Sequence, residues 1–126
     1  MSDLARQLIA ENQRTHAPFL DLGNCGLKDS NLPTELFTLT WLTALNLGDC
    51  YKNSQDNWKA SQNTGVKNQL SEKSLHQVNQ LEQIQRLDLS SNRVNDIRFL
   101  AELPQLQSLD LRNNQITAVS NLGVFK

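Results

Sequence analysis

Four acid or amide side chains stand in the same local frame along this 126-residue chain. They are Asp21, Asn46, Asp88 and Asp110, each between two leucines: Leu20-Asp21-Leu22, Leu45-Asn46-Leu47, Leu87-Asp88-Leu89 and Leu109-Asp110-Leu111. Alternation of period two is the pattern of a short strand whose leucines share one face while the polar residue takes the other. Laid side by side at the ~4.8 Å spacing of paired strands, the four make a polar column. In-register carboxylates at that spacing could hold a cation or meet a basic peptide. The simpler reading is a row of solvated acids, and Arg86 and Arg112 beside the column would neutralise part of it. Phe19, Asp49 and Ser108 belong to the same face by the same alternation.

Other reactive residue types are sparse. The two cysteines, Cys25 and Cys50, follow the Leu-x-Leu segments of the first and second strands at equivalent positions, a spacing that could bring the sulfurs close. A zinc site would need two more ligands, and His16 and His76 have no matching spacing, so no metal is expected. The cysteines read as buried, reduced, small apolar residues. No glycine-rich phosphate loop, Gly-x-Ser-x-Gly or cysteine–histidine nucleophile pair occurs, so no enzymatic activity and no cofactor are expected. Aromatics are few; Phe19, Trp41, Tyr51 and Trp58 are the candidates for an interface anchor, with packing against neighbouring elements as the plainer role. Net charge is −1, and basic residues are scattered without interleaved aromatics, which speaks against nucleic acid or a membrane surface as partner. No apolar run approaches the ~18–20 residues of a membrane span, and no secretory leader pattern opens the chain. A cytoplasmic location is the expectation.

The elements that must position these residues repeat. Ile84-Gln85-Arg86-Leu87-Asp88-Leu89 returns twenty-two residues later as Leu106-Gln107-Ser108-Leu109-Asp110-Leu111. Asn92 then matches Asn114, Val94 matches Ile116, Ile97 matches Val119 and Leu100 matches Leu122. The shared frame LxxLxLxxNxLxxLxxL resembles the leucine-rich repeat, of bacterial type where Leu32-Pro33 opens the return segment. One such unit cannot bury its own leucines, and stacking makes them one column, each worth roughly 1.5–3 kcal/mol. The resemblance implies an α/β fold: a short right-handed leucine-rich-repeat solenoid, with about four parallel strands on the concave face and 3₁₀ or helical turns on the convex face. It also implies a ladder of turn-capping side chains, with Asn92 and Asn114 as rungs and Cys25 and Cys50 standing in for asparagine.

Residues 1–16 are expected to form an N-terminal cap helix with Leu4, Leu8 and Ile9 on its apolar side, and residues 17–126 the repeats. Leu45 and Leu87 lie forty-two residues apart, too many for one repeat, so an insertion is placed at about 51–69, with a short helix capped by Ser71 after it. At the other end the three-residue spacing runs on to Phe125, and the period would place a further strand just beyond Lys126.

The functional expectation is a non-enzymatic module that binds a protein or peptide through its concave face and insertion. The partner-binding set is Phe19, Asp21, Asn46, Asp49, Trp58, Arg86, Asp88, Ser108, Asp110 and Arg112. Four strands span only about 15 Å, which suits a peptide, loop or helix. There are two alternatives. The opening helix followed by Ala17–Leu27 and Leu32–Phe37 resembles the start of the sensor region of larger bacterial proteins, as in Roco-type GTPases, which would make the chain a regulatory front end. The other is a homo-oligomer joined through an open C-terminal edge.

Overall fold

The computed structural model describes residues 2–116. In chain order its elements are α1 (Ser2–Thr15), β1 (Phe19–Asp21), β2 (Ala44–Asn46), β3 (Cys50–Lys52), β4 (Trp58–Ala60), α2 (Glu72–Leu75), β5 (Arg86–Asp88) and β6 (Ser108–Asp110). Single 3₁₀ turns at Thr34–Thr38, His76–Gln80 and Arg98–Glu102 complete the convex side.

The main sheet is parallel, in the order β1-β2-β5-β6. Its register pairs Leu20 with Leu45, Leu45 with Leu87 and Leu87 with Leu109, so the leucines stack on adjacent rungs. Leu22, Leu45, Leu47 and Leu89 are completely buried. From the convex side Leu36, Leu39, Leu42, Leu81, Ile84, Val94, Ile97 and Leu100 close the same core. Parallel neighbours need a long crossover. Here the crossover is the return segment, whose 3₁₀ turns suit apolar residues two or three apart. Ser71 caps the short helix α2 by accepting from Lys73 N at 3.2 Å.

Each strand ends in a sharp inward turn. Asn24, Ser91 and Asn113 take left-handed φ values of 52°, 59° and 60°, each one residue before Cys25, Asn92 or Asn114. Asparagine and serine tolerate this region better than branched residues do. In the second repeat the corresponding position is Asp49, and there the chain leaves the solenoid.

α1 covers the outer side of β1 with Ala5, Ile9 and Asn12, a set spaced by one helical turn. The expected apolar side is rotated: Leu8 is partly buried, but Leu4 is 38% exposed. The cause is Asn12, which the helix turns inward. Its side chain accepts from Trp41 Nε1 at 2.7 Å and donates to Ala17 O at 3.0 Å. The His16 ring stacks on Trp41 with centroids 3.8 Å apart. Trp41 is thus spent on holding the cap. The matches at Val119, Leu122 and Phe125, and whatever follows Ile116, lie outside the described residues.

Candidate functional site

The insertion folds as an antiparallel hairpin of β3 and β4, with Cys50 opposite Ala60, Tyr51 opposite Lys59 and Lys52 opposite Trp58. Its turn is built by Asn53, whose side chain accepts from Gln55 N (2.9 Å) and Asn57 N (3.0 Å). Asp56 adopts φ 61° at the tip. The hairpin lies over the concave face. Tyr51 is buried against Phe19, ring centroids 4.8 Å apart.

Polar side chains pin its return limb. Asp21 is the main anchor. One of its carboxylate oxygens accepts from Gly23 N (3.0 Å), Asn46 Nδ2 (2.9 Å) and Ser61 Oγ (2.9 Å), and the other from Gln62 N (2.9 Å). Asn63 Nδ2 donates to Asp21 O (3.1 Å) and Gly23 O (2.9 Å). Asp49 accepts from Ser90 Oγ at 3.0 Å and pairs with Lys67 at 3.4 Å. A side chain at Gly23 is excluded by this layering, since a Cβ there would stand 2.2 Å from Gly48 O.

The polar column is therefore a floor and not an open surface. The expectation of solvated acids fails: Asn46, Asp88 and Asp110 are 0%, 4% and 5% exposed, Asp88 against the Lys52 N–H of the hairpin and Asp110 against Arg112, which packs on Trp58. Asp88 sits opposite Asp110 in register. Burial, and then the neighbouring Asp110 charge, push its carboxyl up to about 7, against the Lys52 N–H and the cations Arg86 and Arg112. Asp110 is held by Arg112 Nε at 3.0 Å. Among the described residues no group of three or more His, Cys, Asp or Glu is arranged to hold a metal ion.

The ladder needs a correction. Asn92 Nδ2 donates to Leu47 O (3.0 Å) and Leu89 O (3.2 Å), and its Oδ1 accepts from Leu70 N (2.9 Å). Asn114 repeats this with Leu89 O (2.8 Å), Leu111 O (3.0 Å) and Val94 N (2.8 Å). In the second repeat the same bonds are made by Asn68, from Nδ2 to Leu22 O (2.9 Å) and Leu47 O (2.8 Å), and at Oδ1 from Leu27 N (2.8 Å) and Cys25 N (3.2 Å). Cys50 is no rung: it lies in β3, where its sulfur accepts from Arg112 Nη2 at 3.0 Å. The insertion thus runs from Cys50 to Lys67, and Asn68 and Gln69 belong to the repeat. Cys25 stands at the first rung position, its Sγ donating to Gly23 O at 3.4 Å. It is buried, and burial, then the Asp21 charge, push its thiol up to about 11.

What faces outward is the hairpin. Trp58 is 49% exposed, with the Arg112 guanidinium 4.0 Å above its ring and Lys52 Nζ at 5.2 Å. Arg86 Nη1 pairs with Asp56 at 3.1 Å. Between the hairpin and the beginnings of β1, β2 and β5 lies a cleft of about 460 Å³. Phe19, Tyr51, Lys52 and Arg86 line it together with Thr43 and Gln85. Ser108 is partly exposed on β6, in register with Arg86.

Residues 82–123 match the leucine-rich-repeat family, described as leucine-rich repeats in two copies. The fold is that of a leucine-rich-repeat solenoid. Two solved structures share the fold. Against an internalin (inlF) from Listeria monocytogenes the TM-score is 0.51 at 21% identity, over 75% of this chain and 22% of that one. Against internalin C2 (inlC2) from the same organism the TM-score is 0.57 at 21% identity, over 94% of this chain and 53% of that one. The chain therefore spans about a fifth of the first and about half of the second. No curated protein matches it.

Within this leucine-rich-repeat frame, four of the ten expected surface residues, Asp21, Asn46, Asp88 and Asp110, are engaged beneath the insertion. Phe19, Asp49, Arg86 and Arg112 hold side chains of the insertion, Trp58 lies on the hairpin, and Ser108 stands apart on β6. Lys52, Ser61, Asn63 and Asn68 were missed. Only Asn68 carries a signal in the sequence: with 50–67 excised, Leu47-Gly48-Asp49-Asn68-Gln69-Leu70 takes the frame of Leu89-Ser90-Ser91-Asn92-Arg93-Val94. Among the described residues no helix is long and apolar enough to cross a membrane.

Proposed function

We propose that this chain is a non-enzymatic recognition module whose protein or peptide partner is met at the concave side of the solenoid, mainly by the insertion that covers it. Leucine-rich repeats are in general protein-interaction scaffolds, and their function lives in what the surface displays. The observation that carries the reading is the half-exposed Trp58, packed under the Arg112 guanidinium and near Lys52. A rigid aromatic beside arginine is the composition of an interface hot spot. The strand residues below it act through the hairpin, by fixing where this pair sits. A reducing, cytoplasmic setting goes with this reading and is supported by two free cysteines.

The test is selection of binders from a displayed random-peptide library, followed by titration against the wild-type chain and Trp58→Ala. Binders that weaken by about tenfold or more, the effect of losing a hot spot, support the proposal. Binders indifferent both to Trp58→Ala and to replacement of 50–67 by a short glycine link would overturn it.

A further inference from the structure

We infer that the cleft under the hairpin tip receives an acidic side chain of a partner peptide, with an adjoining apolar side chain laid on Phe19 and Tyr51. The inference rests on the recognition reading above and names the partner chemistry of that surface. Three observations support it. The cleft's volume of about 460 Å³ is ample for one or two side chains. Its charged lining residues are Lys52 and Arg86, with no acid among them, while the Phe19–Tyr51 pair gives an aromatic wall. The chain itself already seats a carboxylate at the rim: Asp56 Oδ1 meets Arg86 Nη1 at 3.1 Å.

That rim contact has the character of a self-occupied site. Arg86 starts from β5, and its side chain is 27% exposed, so the rigid sheet sets where its guanidinium lies. The Asp56 side chain is 73% exposed at the tip of a turn that Asn53 holds without it. An exposed carboxylate on a turn is readily displaced, because such a pair gains little net free energy in water. A partner's Asp or Glu reaching Arg86 from within the cleft would take the place Asp56 holds, on a lining that includes Lys52, whose Nζ rests 5.2 Å from the Trp58 ring. It would also lie beside an aromatic wall, away from bulk water, where a charge-assisted bond is stronger. Asp56 then acts as an internal competitor that sets how acidic a partner must be.

The probe is the blocked peptide acetyl-Leu-Phe-Glu-Gly-amide, titrated into the full chain at low salt and followed by amide NMR shifts. Its Gln counterpart and acetyl-Leu-Phe-Gly with a free carboxylate are run beside it. Shifts should gather at Thr43, Ala44, Tyr51 and Ser54, and the Gln peptide should bind about tenfold more weakly or worse. Asp56→Asn removes the competitor while keeping a residue that tolerates the left-handed turn, and should tighten the Glu peptide about two- to fivefold. Arg86→Gln should abolish the preference for Glu over Gln, and Lys52→Gln, on the exposed hairpin, should weaken it without touching the sheet. Equal binding of the Glu and Gln peptides, no binding at millimolar concentration, tighter binding of the free-carboxylate peptide than of the Glu peptide, or weaker binding by Asp56→Asn would each overturn the inference. Trp58-dependent binders from the library with no acidic residue would overturn it too and leave the broader recognition reading standing.

Discussion

Asn68 Nδ2 joins Leu22 O and Leu47 O, carbonyls that belong to consecutive repeats, at 2.9 and 2.8 Å. With its Oδ1 accepting from Cys25 N and Leu27 N, one buried amide satisfies four backbone groups. Removing one partner of a buried hydrogen bond leaves the other desolvated, at about 1–3 kcal/mol per group. Asn68→Ala is therefore expected to lose about 2–6 kcal/mol, the cost of two such groups with water satisfying the rest. Cys50→Ala, which touches no ladder bond, should lose less than about 1 kcal/mol. Urea unfolding of both variants checks the order. A Cys50 variant as damaged as the Asn68 variant would return the rung to Cys50.

The stack was legible because its signal lies in residue types at a fixed period: Leu87 and Leu109, Asn92 and Asn114 announce their own alignment. Orientation was legible for the same reason, since alternation alone turns Asp88 and Asp110 away from the leucines. What covers those acids was not. The hairpin is seated by Ser61, Asn63 and Gln62 on Asp21, polar contacts with no periodicity to betray them. The return to the repeat at Asn68 was masked by composition. It lies in a run rich in asparagine and glutamine, with Asn53, Asn57, Asn63 and Gln69 as equally plausible loop residues. Burial in this protein is two-sided at the concave face, and one-sided alternation cannot report the second side.

The buried acid pair predicts an inverted pH dependence at one residue. A free aspartate titrates near 3.9, whereas Asp88 in the folded chain titrates at about 7. Between those values the folded state holds a proton that the unfolded state has released. Asp88 therefore lowers stability progressively as pH rises from about 4 to 7, by on the order of 4 kcal/mol at most. Asp29 and Asp49 act oppositely. Burial pushes both up, but Ser71 and Ser74, and Ser90 and Lys67, more than offset it and hold them below the usual range. The informative quantity is thus the difference between wild type and Asp88→Asn, whose amide still offers Lys52 N–H an acceptor. The variant should gain on wild type steadily from about pH 5 to about pH 7 in denaturant titrations and then hold its lead. Parallel stability curves would mean that Asp88 is not desolvated by the hairpin.

Asp21 predicts how the roof comes off. Its carboxylate takes Ser61 Oγ and Gln62 N from the insertion, and Gly23 N and Asn46 Nδ2 from the solenoid. It is thus the joint between two parts with separate support, since the leucine column closes without the hairpin. Hydrogen bonds to a charged group are each worth about 1.5–3 kcal/mol, and in Asp21→Ala the insertion side of that joint is lost. Asn63 still holds Asp21 O and Gly23 O through backbone carbonyls that the substitution leaves in place. The expected result is local. Amide exchange at Gln62 and along Trp58–Ala60 should quicken by about tenfold or more, one bond's worth, while Leu45 and Leu87 exchange nearly as before. Exposure of the roof alone, with the core strands intact, is the behaviour of separate cooperative units. If Leu45 and Leu87 quicken in step with Gln62, the hairpin and solenoid open together, and the insertion is part of the fold and not a cover laid upon it.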